Sequence, residues 1–137
     1  MNEIAERLVK RHEGLRLKPY RCTGGKASIG WGRNLDDNGI RPDEAALMLR
    51  NDIEQATQEA KGLAYFNALD DVRQAVIIDM LFNLGLPRFL GFERMNIALE
   101  RHNYAVAAVE MLDSRWAGQV GERAERLSQM MKTGVEV

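Results

Sequence analysis

The stretch HEGLRLKPYRCTGGKASIGWGRNL, from His12 to Leu35, passes from helical to alternating periodicity at Gly14. Before it, Ile4, Ala5, Leu8, Val9 and His12 share one side at helical spacing, and Asn2 offers an N-cap. Gly14 accepts the left-handed backbone that stops a helix. After it, Leu15, Leu17 and Pro19 alternate with Arg16, Lys18 and Tyr20, and Ala27, Ile29 and Trp31 alternate with Ser28, Gly30 and Gly32. This pattern predicts two or three short antiparallel strands, with a tight turn at Gly24-Gly25. Glu13, on the last turn of the helix, is therefore expected over a hairpin that carries Cys22 and Ser28. Gly30 and Gly32 either clear one face for close approach of a ligand or serve strand bulges.

The rest of the chain limits what this stretch can be attached to. At 137 residues, 45% hydrophobic and 28% charged, it suits one soluble globular domain. A formal net charge of -1 gives no global pull toward nucleic acid or an anionic membrane. The single cysteine excludes an internal disulfide, so cytosolic synthesis is expected. The N-terminal segment has no apolar run of signal-peptide length, and no segment approaches the ~20 apolar residues of a membrane span.

Downstream, Asp36 to Gly39 reads as a turn, and Pro42-Asp43-Glu44 opens a helix to about Lys61 with Ala45, Leu49, Ile53, Ala56 and Ala60 on one face. Asp70-Asp71 opens the most apolar stretch, through Val72, Val76, Ile78, Met80, Leu81 and Phe82 to Gly85, predicted as a central buried helix. After Pro87 come shorter amphipathic helices at about 93–100, 104–112, from 114 or 115 for a turn or two, and 121–131. With no repeat or linker, this predicts an α+β, mostly α chain of one domain, 1–137. A hairpin lobe at about 14–61 is expected to pack on a helical lobe made of 1–13 and 62–137.

Several chemistries are poorly served. There is no phosphate-binding loop or dinucleotide fingerprint. His12 and His102 are far apart, and Cys22 has no second cysteine at ligand spacing, so neither a metal nor a cofactor is expected. Acid and base work by a placed carboxylate remains.

HEGLRLKPYRCTGGKASIGWGRNL resembles the active-site region of the phage-type lysozymes, the endolysins of glycoside hydrolase family 24. Weaker similarity continues in family order through IRPDEA, DMLFNLG, LGF, SRW and ERAERL. The resemblance implies a lysozyme-like fold and cleavage of the β-1,4 bond between N-acetylmuramic acid and N-acetylglucosamine in bacterial peptidoglycan, with inversion and no metal. It places Glu13 as general acid. Cys22 stands where many members have aspartate and Ser28 where they have threonine, two positions thought to hold or activate the hydrolytic water.

Gly32, Asn34, Phe82, Asn83 and Met95 fall at cleft-lining or sugar-contacting positions, Asn34 and Met95 differing in type from the family. Arg123 matches an arginine that pairs with the catalytic glutamate, or is a surface charge. Arg33 replaces a histidine paired with an aspartate on the long helix; Asp52 falls at that aspartate, so an Arg33–Asp52 ion pair is expected. The resemblance further implies a monomer without nucleic-acid partners or stable membrane insertion. It would accumulate in the bacterial host cytoplasm during infection or lysogeny and leave through a holin-type lesion.

Cys22 is the main departure. A thiol has a reference pKa near ~8.5 against ~3.9 for aspartate, so it acts as a thiolate base, orients water, or merely fills space. The same ambiguity attaches to Ser28 as a strand hydroxyl and to Glu13 as a solvated helix-end charge. Three functions stay open: a lysozyme, a cell-wall-binding protein that has lost hydrolysis, and a cysteine hydrolase using Cys22 with His12 or His102.

Overall fold

In the computed structural model, which describes residues 1–137, Asn2 caps helix α1 (Glu3–Glu13) by accepting the Ala5 N–H at 3.0 Å. Gly14, with φ 70°, ends it and donates its own N–H to the Lys10 carbonyl. An antiparallel sheet follows, in the order β1 (Arg16–Arg21), β2 (Ala27–Gly30), β3 (Arg33–Asn34). The turn between β1 and β2 is closed by the Gly25 N–H on the Cys22 carbonyl at 2.8 Å and the Cys22 N–H on the Lys26 carbonyl at 2.9 Å. The segment expected as a simple turn at 36–39 is instead one helical turn, α2 (Leu35–Asn38). Asn34 explains it, because its Oδ1 accepts the Asp37 N–H at 3.0 Å and so starts a helix. The two acids of α2 tie it to the hairpin, Asp36 accepting the Ala27 N–H and Asp37 the Lys26 ammonium.

The chain divides into two compact units, Met1–Met48 and Leu49–Val137, and the boundary lies inside the long helix α3 (Pro42–Lys61). In this grouping α1 falls in the same unit as the hairpin. Within the first unit Glu13 packs on Gly32, and the Lys10 ammonium lies 4.8 Å from the centre of the Trp31 ring. The first unit buries no hydrophobic side chain, and Ile4, Leu8 and Val9 of the expected apolar face are all exposed.

The second unit holds the hydrophobic core. Helix α4 (Asp71–Leu84), capped by Asp70, buries Val76, Ile77, Met80, Leu81 and Leu84, as its apolar sequence predicts. Of the face expected on α3, Ala56 and Ala60 are buried, whereas Leu49 and Ile53 stay exposed. A 3₁₀ turn (Phe66–Ala68) precedes α4, and α5 (Leu86–Leu90), α6 (Glu93–Glu100), α7 (Tyr104–Leu112), α8 (Arg115–Val120) and α9 (Glu122–Thr133) follow it. The short α5 is unanticipated because Pro87 reads as a break, yet proline in a first helical turn lacks only an N–H that would have no partner there. Phe89, Leu99, Met111, Trp116 and Met131 complete the core. Arg73 fastens the start of α4 to the end of α9 by donating to the Met131 carbonyl at 2.7 Å and the Lys132 carbonyl at 3.0 Å, a favourable place for a cation at a helix C-terminus. The architecture is the expected α+β, mostly α fold with a small N-terminal sheet. No helix is long and apolar enough to cross a membrane.

Candidate active site

Glu13 is the last residue of α1, and its carboxyl end lies against Gly32 in the turn that joins β2 to β3. A Cβ built on Gly32 would stand 2.6 Å from Glu13 Oε2 and 2.9 Å from its Cδ. The carboxylate therefore rests on bare backbone. Gly32 is also in the left-handed region, with φ 78°.

Cys22 enters the β1–β2 turn half-buried and lies on the same sheet face as Ser28, because Tyr20 pairs with Ser28 and side chains two apart share a face. Its thiol is held below the ordinary thiol value, chiefly by the Lys26 N–H and then the Gly24 N–H; partial desolvation opposes them, and the Ser28 hydroxyl adds to the lowering. Ser28 is 2% exposed, the one buried residue of this unit. Its hydroxyl has a single proton, which reaches the Lys26 carbonyl over a long 3.3 Å contact and stabilises a thiolate when turned to Cys22. No histidine is among these partners, which disfavours the cysteine-hydrolase reading. His12 is exposed on α1, and His102 Nδ1 lies 3.3 Å from the Tyr104 hydroxyl in the second unit.

Arg33 does not take Asp52 as its partner. Its Nη1 donates to Glu44 Oε1 at 2.5 Å, and the same oxygen accepts the Arg41 N–H at 2.8 Å. Glu44 stands in the first turn of α3, within the hairpin's own unit, whereas Asp52 lies beyond the boundary. The guanidinium and the Arg41 N–H lower the Glu44 carboxyl from about 4.5 to about 2. A carboxyl lowered on folding stabilises fully above its unfolded pKa and loses that contribution as pH falls through the folded one. Glu44→Gln should thus lower the melting temperature at neutral pH, and the gap to the parent should close between about pH 4.5 and pH 2. Melting curves across that range check this; a gap that persists at pH 2 counts against it.

Asn34 uses its side chain within α2, accepting from the Asp37 N–H and donating to Asp37 Oδ2 at 2.8 Å. In the second unit, Phe82 is exposed beside an open groove of about 410 Å³ that Asp52, Gln55, Glu59, Leu86 and Pro87 also line. Asn83 is exposed too, its Oδ1 accepting the indole N–H of buried Trp116 at 2.7 Å, which fixes the amide and leaves its NH₂ outward. One carried-over role is corrected. Met95 is fully buried, an apolar core residue rather than a sugar contact. Arg123 pairs with Asp79 of α4, Nε and Nη2 both 2.9 Å from Oδ1. The sequence reading missed Glu44 and the Lys26 and Gly24 N–H groups; the only local hint was the Gly-Gly turn beside Cys22.

The phage lysozyme family model matches residues 10–131, which include α1's acid, the hairpin and the helices down to α9. A probable T4-type lysozyme 1 of Dictyostelium discoideum is 26% identical, covering 93% of this chain and 92% of its own length. An endolysin of Acyrthosiphon pisum secondary endosymbiont phage 1 is 30% identical over 80% of this chain and 75% of its own. The pre-baseplate central spike protein Gp5 of Enterobacteria phage T4 is 25% identical, and there the match takes in 93% of this chain but 27% of the spike protein. With residues 10–131 matched, the protein belongs to the phage lysozyme family and is a lysozyme-like glycoside hydrolase directed at peptidoglycan.

Proposed function

We propose that this protein is an N-acetylmuramidase that cuts the β-1,4 bond between N-acetylmuramic acid and N-acetylglucosamine by inversion, in the lysis of a bacterial host by a phage or prophage. The observation that carries the reading is a carboxyl seated on Gly32, in the same compact unit as a thiol that the Lys26 and Gly24 N–H groups hold below its ordinary value. Glycoside hydrolysis needs an acid for the leaving oxygen and, in the inverting mode, a base for water on the opposite face of the sugar. Glu13 gives its proton to the glycosidic oxygen as the bond to the anomeric carbon breaks. Water adds to that carbon, and its proton passes to the Cys22 thiolate, with Ser28 helping to hold the water. Exposed Phe82 and Asn83 offer an apolar ring and a fixed amide to sugar. The protein acts as a monomer, made in the host cytoplasm and reaching the wall through a holin-type lesion.

Mass spectrometry of digested peptidoglycan tests the bond. Reducing-end muramic acid is expected, with the α anomer formed first. Reducing-end glucosamine, or peptide cleavage with intact glycan, overturns the assignment. Wall binding without any released product would return the chain to the non-hydrolytic alternative.

A further inference from the structure

We infer that Gly32 is a positioning residue for Glu13: its bare backbone is the seat that sets where the acid's carboxyl stands. This rests on the reading of Glu13 as the general acid, and it gives Gly32 a different role from the sugar contact implied by resemblance. Most left-handed glycines of the chain need only their backbone conformation explained. At Gly14, Gly25, Gly30, Gly39, Gly85 and Gly121 an added Cβ would meet nothing within 4 Å. Gly32 carries a second demand, because a Cβ there would run into Oε2, Cδ and Cγ of Glu13 at 2.6, 2.9 and 3.3 Å.

The obstacle is a flexible side chain rather than backbone, so the hairpin can keep its shape while the acid gives way. To restore an ordinary contact of 3.4 Å the carboxyl must retreat by about 0.8 Å. Misplacement by about 1 Å is enough to cost up to 10²-fold in a reaction that depends on a near-attack geometry. The cost falls on the chemical step, since the displaced group donates the proton rather than gripping the sugar.

The test compares Gly32→Ala with Gly39→Ala in the full chain on soluble muropeptide oligomers. Gly39 has φ 58° and open space beyond it, so its alanine variant carries a left-handed cost without a collision. Gly32→Ala is expected to lower kcat at least tenfold with KM within about threefold of the parent, while Gly39→Ala keeps both near the parent values. In a Glu13→Asp background, whose shorter side chain withdraws from Gly32, adding Gly32→Ala should lower kcat less than threefold further. A loss that appears in KM alone, or an undiminished tenfold loss in the aspartate background, overturns the inference.

A measurement on the parent protein does not depend on whether the alanine variant folds. The Gly32 Hα resonances should follow the titration of the Glu13 carboxyl and cease to do so in Glu13→Gln. Resonances indifferent to Glu13 overturn the seat. Full activity of Glu13→Gln would instead sink the general-acid reading, leaving the contact itself to be judged by the spectra.

Discussion

Glu13→Gln is expected to lose hydrolysis by about 10² to 10⁴-fold, the usual worth of general acid catalysis, with its melting temperature almost unchanged. The amide keeps the shape of the carboxyl but has no proton to give to the glycosidic oxygen. Stability should be spared because Glu13 is exposed at the end of α1 and forms none of the ion pairs of the fold. Purified parent and variant are compared by loss of turbidity in a cell-wall suspension, beside their thermal unfolding curves. Clearing at the parent rate by the glutamine variant would remove Glu13 from the mechanism, and the inverting assignment with it. A variant that is inactive because it is unfolded would be recognised by its melting curve.

Cys22→Ala is expected to lower kcat by at least about tenfold, equivalent to ~1.4 kcal/mol of transition-state stabilisation. Alanine removes the sulfur without adding bulk, so the loss reports the thiolate rather than crowding. The pH profile gives a sharper readout. If the thiolate is the working form, activity rises with pH through the Cys22 pKa, and the backbone N–H groups of Lys26 and Gly24 place that rise below the ordinary thiol value. Cys22→Asp should retain or raise activity and carry the acid limb further down, toward the ~3.9 of an ordinary aspartate. Carboxamidomethylation should inactivate the parent and leave the aspartate variant untouched. An alanine variant as active as the parent, with the same acid limb, would reduce Cys22 to packing and leave the water to Ser28 and the backbone.

The two unions at the site differ in how far the chain itself announces them. Cys22 and Ser28 are joined by a turn of a few residues, and alternation in a hairpin puts them on one face. Their proximity could be read from the spacing. The seat of Glu13 on Gly32 links the end of a helix to the next strand turn, and it depends on the angle at which α1 meets the sheet. Nothing in the identity of Gly32 separates a seat for a carboxyl from an ordinary left-handed turn.

By itself, the amino-acid sequence determined what is local: α1 between Asn2 and Gly14, the hairpin turned at Gly24-Gly25, the limits of α3, the burial of α4, and the presence of Glu13, Cys22 and Ser28 in one motif. Caps, periodicities of 3.6 and 2, and glycine turns act over a few residues, so they are visible before the chain folds. Only the tertiary structure decided which partner each distant group takes. Arg33 met Glu44 rather than Asp52, Arg123 met Asp79, and Met95 went into the core. Surface ion pairs differ from one another by about 0 to 1 kcal/mol, too little to choose a partner by chemistry, so the choice falls to whichever carboxylate the packed backbone brings within reach.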